Sequence, residues 1–301
     1  VRVSIEVRQL DMKVTGTQDD STLAARLLTE AGVGCIITLG GDGTNRAVAK
    51  GSVAIPLMPI STGTNNVFPF MVEGTIAGLA AGAVATGVVS AAEGTVSTNR
   101  LDVLVDGEPA DLALVDVVVY DTPFIGSRAV WDMSKVREIF LSRAAPSNVG
   151  LSSIGGNLYC QQLNAHRGAY IRLSADAEGS GGVEVVAPVA PGLVRPVRVS
   201  AYRLLEPGDE VEVRFAPSVL AFDGEREMEV RPAHRVSVRL SDRGPRVVDF
   251  QRVLSIAAAK GLFCPALSQG AGRACLLAQL GVCRTPCWPN LLEGRVHNER
   301  R

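Results

Sequence analysis

The pattern of apolar and polar positions changes part-way along the chain. Residues 22–34 place apolar side chains on one helical face, and residues 35–39 and 53–60 form apolar runs of strand length. Helix and strand signals that alternate in this way predict βαβ units and a parallel sheet. From residue 99 onward short strand-like stretches dominate, and Asp-Gly pairs at 106–107 and 223–224 predict tight hairpin turns between strands.

This change of pattern predicts the domain organisation. We expect a Rossmann-like α/β nucleotide-binding domain over residues 1–95, a β-sandwich domain over 96–261 and an irregular tail over 262–301. Residues 1–7 alternate like a strand, residues 129–143 are predicted as a helix within the β-rich part, and the tail holds four of the six cysteines. The Ala- and Gly-rich stretch 76–92 fits a buried helix better than a membrane span.

Composition narrows the class of protein. The chain has 301 residues, 47% of them hydrophobic and 20% charged, which is enough to bury the core of a two-domain enzyme. Its net charge of −1 provides no field that would attract DNA or RNA, so nucleic acid is not an expected partner. No stable membrane insertion and no signal peptide are expected, and scattered cysteines favour a cytoplasmic protein.

The loop after the first apolar run carries the clearest chemistry. It places three glycines around one carboxylate, in the order Gly40, Gly41, Asp42, Gly43, Thr44, Asn45. Glycine lacks a Cβ, so these three residues can take positive φ and can let phosphate oxygens approach backbone N–H groups. A carboxylate in such a loop suits a cation or the proton of an attacking hydroxyl, so we predict that Asp42 is the catalytic base of a phosphoryl transfer. The alternative is an ordinary strand-to-helix turn.

A second polar loop follows the next apolar run. Its hydroxyls and amides are Ser61, Thr62, Gly63, Thr64, Asn65 and Asn66. Ligands of open α/β sheets bind at the carboxyl ends of strands, so the two loops are expected to form one phosphate-binding cleft. The alternative is a turn with a helix cap, which the same residue types favour.

The two loops together resemble those of the NAD kinase and lipid kinase superfamily. A nearer resemblance, spanning roughly residues 1–261, is to the acetoin catabolism protein X family, through both loops and the segments 113–116, 131–132, 150–152 and 221–227. The Pro-containing stretch 187–196 resembles NAD kinases in particular. The resemblance implies the fold predicted above, a cytoplasmic homo-oligomer, ATP and Mg²⁺ as cofactors and NAD as substrate.

The resemblance also implies roles for residues far from the loops. Asp223 and Glu225 of the Phe-Asp-Gly-Glu segment would complete the catalytic site, with Asp223 as a metal ligand, and Asp116 would hold a ribose hydroxyl. Both polar loops would bind the nucleotide. Two departures stand out, because Val115 replaces an asparagine of NAD kinases and the family's usual first strand, with its loop near the phosphates, is missing.

The predicted function is an ATP-dependent phosphotransferase that converts NAD to NADP and is linked to acetoin catabolism. Its partners would be small molecules, namely ATP and NAD or another hydroxyl acceptor. Two alternatives stay open. One is a lipid kinase of the diacylglycerol type, which shares both loops and would need an apolar substrate crevice. The other is a nucleotide-sensing regulator without turnover, which the missing first strand favours.

Overall fold

The computed structural model describes residues 6–52, 54–124, 133–160, 163, 167–174 and 182–263. The α-helices are α1 Gln18–Glu30, α2 Asp42–Gly51, α3 Gly74–Ala85, α4 Ala91–Gly94, α5 Ser152–Tyr159 and α6 Phe250–Ala259. The first eight strands are β1 Ile36–Gly40, β2 Leu57–Ser61, β3 Thr95–Val96, β4 Arg100–Val105, β5 Glu108–Ala113, β6 Asp116–Tyr120, β7 Val136–Leu141 and β8 Gly168–Leu173. The remaining strands are β9 Val183–Ala190, β10 Leu193–Leu205, β11 Glu210–Glu212, β12 Ser218–Phe222, β13 Glu225–Val230, β14 Val236–Ser241 and β15 Val247–Val248.

The first unit is a four-stranded sheet in the order β1-β2-β15-β3, covered by helices on both faces. Strands β1 and β2 are parallel, as the βαβ pattern predicts. Helices α1 and α2 pack on one face through a cluster that includes Ala25, Val48 and Ile36. Helices α3 and α6 pack on the other face, where Ala80 and Val253 are fully buried. The α3 side of this cluster consists mainly of alanines, namely Ala77, Ala80, Ala81 and Ala83.

The second unit is a sandwich of two antiparallel sheets. The larger has the order β13-β12-β6-β7-β8-β10-β9, and the smaller has the order β11-β14-β4-β5. The facing surfaces bury a shared core that contains Val103, Val117, Phe140, Leu220 and Val238. The α/β plus β-sandwich architecture expected from the sequence is therefore confirmed.

The chain returns to the first unit after the sandwich. Strand β15 pairs with β2 and β3, and α6 packs beside α3. The domain boundaries expected from the sequence place β15 and α6 in the sandwich domain, since a two-residue strand such as β15 has no recognisable sequence pattern. In the topology of the structure, residues 247–259 belong with the α/β unit.

Two other sequence expectations differ from the structure. The helix expected over 129–143 is wrong for its described part, since residues 133–135 form a 3₁₀ turn and β7 follows. Residues 6–17 form neither helix nor strand, while residues 1–5 of the predicted first strand and residues 264–301 of the tail lie outside the described residues.

The stretch expected as a buried helix forms α3, whose 12 residues include five buried ones. Across the described ranges, no helix combines the length and apolar character needed to cross a bilayer.

Candidate functional site

The two polar loops lie side by side because their strands end at the same edge of the sheet. Gly40, the last residue of β1, lies opposite Ser61, the last residue of β2. The side-chain amide of Asn66 donates to Ser61 Oγ at 2.8 Å, and Ser61 Oγ donates to the carbonyl of Gly63 at 2.8 Å. The second loop is therefore held in one conformation by its own side chains.

Asp42 joins the first loop to the second. Its carboxylate accepts hydrogen bonds from the backbone N–H groups of Val67 at 3.1 Å and Phe68 at 2.7 Å. Burial raises the pKa of Asp42 above its ordinary value, against the opposing effects of the two N–H groups and of nearby Arg143. A carboxylate with a raised pKa and a fixed direction is a stronger base than an exposed aspartate, which suits it to accept a proton.

The glycines of the first loop provide space rather than unusual backbone angles. None of Gly40, Gly41 and Gly43 has positive φ, so the loop does not use the backbone freedom that glycine allows. A Cβ at Gly40 would lie 2.5 Å from Thr44 Oγ1, and one at Gly41 would lie 2.8 Å from Asn66 Oδ1. These two glycines are required by close packing of the loop.

The third glycine differs from its neighbours. A Cβ at Gly43 would have no atom nearer than 3.9 Å, so that position is open. Gly43 lies in the first turn of α2, which begins at Asp42 and has no side-chain cap. Uncapped N–H groups at a helix start favour anions, as the sequence analysis expects of this loop.

The remaining loop residues divide into buried and exposed groups. Asn45 is fully buried, accepts from Thr38 Oγ1 at 2.7 Å and donates to the Gly41 carbonyl at 2.8 Å, so in this conformation it supports the loop from inside. Thr62, Thr64 and Asn65 are exposed at the rim. These three side chains are the most accessible of the two loops, while Thr44, Ser61 and Asn66 are half-buried.

Asp223 lies at the tip of the β12–β13 hairpin, with φ of +49°. Its carboxylate accepts from the N–H groups of Leu114 at 3.0 Å, Val115 at 2.8 Å and Asp116 at 3.1 Å. Burial raises the pKa of Asp223 to about 6, and the charge of Asp42 contributes to this shift. Oδ1 accepts from all three N–H groups and Oδ2 from that of Leu114 alone, so the carboxylate holds the hairpin tip in place, and its expected role as a metal ligand stays a prediction.

The described part of the chain also contains no group of three or more His, Cys, Asp or Glu side chains arranged to hold a metal ion. A magnesium site built by the protein itself is therefore not supported by these residues.

Asp116 completes a carboxylate cluster, by which we mean Asp42, Asp116 and Asp223. It is 7% exposed, and its Oδ1 is buried without a hydrogen-bond partner among the described residues. Burial raises its pKa well above the ordinary value, and the charges of Asp223 and Asp42 add to that effect. Like charges at close range favour protonation of one member, so Asp116 is the member of the cluster best suited to carry a proton.

Glu225 lies beside the first loop, although it is far away in sequence. Gln18 Nε2 at the start of α1 donates to Glu225 Oε2 at 2.9 Å, and Glu225 Oε1 is 3.9 Å from the position of a Cβ on Gly43. The hairpin of the sandwich therefore folds against the nucleotide loop, which brings all three predicted catalytic residues to one region.

The sequence analysis missed two arginines of this region. Arg46 is 1% exposed, donates to the Leu112 carbonyl and to Asp111 Oδ2, both at 2.7 Å, and lies 4.6 Å from the Phe222 ring. The position of Arg46 directly after the first loop could have identified it as a residue of the site. Arg143 lies over the Phe68 ring, and no local pattern connects it to the loops.

Comparison with known proteins places the chain in a family. The model of the acetoin catabolism protein X C-terminal domain matches residues 99–243, and that of the ATP-NAD kinase N-terminal domain matches residues 3–87. Acetoin catabolism protein X of Cupriavidus necator is 43% identical over 247 residues, which cover 81% of this chain and 68% of that protein. The chain belongs to the acetoin catabolism protein X family. This membership and the N-terminal match confirm the relationship to NAD kinases that the loops indicate.

Solved structures show weaker likeness. A yeast NADH kinase complexed with NADH is 13% identical, with 77% of this chain and 66% of that chain covered and a TM-score of 0.39. A protein of Bacillus anthracis str. Sterne, assigned as a diacylglycerol kinase, is 13% identical, with 78% and 84% covered and a TM-score of 0.41.

Proposed function

We propose that this protein is an ATP-dependent phosphotransferase that phosphorylates a hydroxyl group, with NAD as the leading acceptor and NADP as the product. The observation that carries the proposal is the position of Asp42, a carboxylate of raised pKa fixed between two loops at the carboxyl ends of parallel strands. Family membership adds support at the level of the superfamily.

Each group of the site has a defined task in this reaction. The uncapped start of α2 and the exposed rim of the second loop bind phosphates and polar groups of the nucleotide. Asp42 accepts the proton of the attacking hydroxyl as the new phosphate ester bond forms and the bond from the γ-phosphorus to the bridging oxygen breaks, with ADP as the leaving group. Asp116 donates a hydrogen bond to a ribose oxygen in its protonated form, and Glu225 positions the hairpin against the first loop.

Magnesium would come with the nucleotide rather than reside in the protein. Oδ1 of Asp223 accepts from three N–H groups and Oδ2 from that of Leu114, and the described residues offer no group of three or more side chains arranged to hold a metal ion. Mg²⁺ commonly binds through substrate phosphates and water, which is compatible with such a site. No step assigned here to a residue depends on the metal.

The test compares wild-type protein with Asp42→Asn and Asp106→Asn, using radiolabelled ATP and a panel of NAD, NADH, diacylglycerol and sphingoid bases. In Asp42→Asn the new amide oxygen can still accept from Val67 and Phe68, so the loops stay joined while the basic group is lost. We expect the rate to fall by ~10²- to 10⁴-fold. Asp106 occupies a turn on the surface and serves as the matched control. Full NADP formation by the Asp42→Asn protein would eliminate the proposed base.

A nucleotide-sensing regulator is the second candidate. It is favoured by the fact that Asp42 and Asp223 both act as structural acceptors for backbone N–H groups. Calorimetric binding of ATP or NAD by the wild-type protein without any phosphate transfer would support this candidate. Transfer to a lipid in the same panel would identify a lipid kinase instead. The cytoplasmic location and the homo-oligomer stay predictions.

A further inference from the structure

A cavity of about 400 Å³ lies between the α/β unit and the sandwich. Its walls come from residues 67, 68, 70, 96–99 and 247 on one side and from residues 142–145, 148 and 163 on the other. Ligand pockets typically measure about 300–1,000 Å³, so this cavity has room for part of a nucleotide. Most of its lining is apolar, including Val67, Val96 and Leu163.

Arg143 is the cation of this cavity. Its guanidinium lies 4.4 Å from the centre of the Phe68 ring, and its Nε is buried. In the part of the chain that the structure describes, that Nε–H has no acceptor and Arg143 forms no ion pair. Its terminal nitrogens Nη1 and Nη2 are not enclosed and form no hydrogen bond within the described residues, so they are the donors that an anion entering the cavity can reach.

Two other arginines of this structure stack on a phenylalanine ring and also pair with a carboxylate. Arg46 and Arg137 also stack on phenylalanine rings, but each has a carboxylate partner, Asp111 at 2.7 Å and Asp121 at 2.6 Å. Arg143 has the ring without the carboxylate. Among these three arginines, the one that faces the cavity is therefore the one without a carboxylate oxygen of a described residue within 4 Å, although Asp42 and Asp223 act on it from farther away.

The charge of Arg143 persists at neutral pH. Burial lowers its pKa to about 10, while the charges of Asp42 and Asp223 oppose this shift. Arg143 thus places one positive charge beside the carboxylate cluster. A phosphate entering the region needs such a charge, since the cluster itself repels anions.

A neutral donor lies on the same wall. The Asn148 side-chain oxygen accepts from the N–H of Ala145 at 2.8 Å, which fixes the amide and directs its NH₂ group away from that bond. Ser97 adds an exposed hydroxyl on the opposite wall. One cation with neutral donors and apolar walls matches a ligand that has a phosphate group and a neutral ring.

We infer that the cavity binds a nucleotide with a phosphate group on Arg143, so that Arg143 is a phosphate-binding residue of the site. The inference rests on the proposed function, since it assumes that the nucleotide held by Arg143 is the one that takes part in phosphate transfer at Asp42. The phosphate could belong to the donor ATP or to the acceptor NAD, and the two sources are separated by the test.

Isothermal titration calorimetry with ATP, with NAD and with pyrophosphate, each without a second substrate, tests the inference. The variants are Arg143→Gln, Arg143→Lys and the matched control Arg137→Gln, whose arginine also stacks on a ring but lies outside the cavity. We expect Arg143→Gln to weaken binding of one nucleotide about 10- to 100-fold, the effect of one lost charge-assisted hydrogen bond. Arg143→Lys should weaken it less, and the control should bind as the wild type does.

The nucleotide that loses affinity identifies the source of the phosphate. Loss for ATP and pyrophosphate assigns Arg143 to the donor, and loss for NAD alone assigns it to the acceptor. Circular dichroism of each variant checks folding, and Arg143→Lys carries the comparison where Arg143→Gln fails to fold. Wild-type affinity of Arg143→Gln for all three ligands, or no binding by the wild type, would overturn the inference. Binding that depends on Arg143 in a protein that transfers no phosphate would overturn the kinase proposal and leave the inference standing.

Discussion

Replacement of Asp223 by asparagine tests the electrostatics of the carboxylate cluster. Asp223 takes part in a two-residue turn with φ of +49°, a conformation that asparagine tolerates well. An amide oxygen can continue to accept N–H groups from Val115 and its neighbours. The substitution therefore removes the charge while it preserves most of the local geometry.

The size of the effect follows from the pKa of this group. Burial raises the pKa of Asp223 from 3.8 to about 6, and the negative charge of Asp42 makes a smaller contribution in the same direction. The folded protein then holds the proton more tightly than the unfolded chain, so this contribution to stability is fully present below about pH 4 and is lost as the pH rises through about 6. A difference of about two pH units corresponds to ~3 kcal/mol in the free energy of unfolding.

Urea unfolding at several pH values between about 4 and 7.5, followed by circular dichroism, measures this effect. We expect the wild type to lose ~3 kcal/mol more than Asp223→Asn across that interval. The matched control is Asp106→Asn, which has the same type of turn with φ of +53° on the surface. His234 lowers the pKa of Asp106, so the control should not reproduce the effect. If Asp223→Asn kept the pH dependence of the wild type, the electrostatic account of the cluster would be refuted.

Two further substitutions separate binding from stability. Gly43→Ala should leave the free energy of unfolding unchanged or raise it by ~0.5–1 kcal/mol, because the position is helical and open. The same substitution should lower phosphotransfer about 10-fold or more, because the added methyl group covers N–H groups near Glu225. Thermal unfolding and the ATP assay measure the two effects, and unchanged activity would contradict anion binding at this position. Arg46→Met should lower the free energy of unfolding in urea by ~3 kcal/mol, because it breaks a buried ion pair with Asp111. Lys50 also pairs with Asp111 and replaces the lost partner only in part. A loss below ~1 kcal/mol would contradict this account.

Local signals in the sequence predict much of this fold. Both Asp-Gly pairs form two-residue turns in which aspartate and glycine have positive φ, as their turn chemistry requires. The loops after β1 and β2 lie together because parallel strands end at one edge. These features depend on a few adjacent residues and on general rules of topology, so a single sequence suffices.

Strand β7 shows where local signals fail. Val136, Ile139 and Phe140 have the i, i+3, i+4 spacing of a helical face, which explains the expected helix. The strand is central in the larger sheet, and four consecutive residues, 138–141, are buried. A strand covered on both faces loses the alternation that would identify it, so its type is decided by tertiary packing.

Position 115 shows how the structure changes the meaning of a sequence departure. Val115 replaces an asparagine whose side chain, by the resemblance to NAD kinases, would contact the dinucleotide. From the sequence alone, this replacement argues against NAD as the phosphoryl acceptor. In the structure Val115 is 2% exposed, and it serves the site through its backbone N–H, which donates to Asp223 at 2.8 Å. Any non-proline residue provides that donor, so a hydrocarbon here preserves the contact while its side chain fills the core. Under the proposed function, discrimination between acceptors would then depend on groups that face the cavity and the rim, among them the positively charged Arg143.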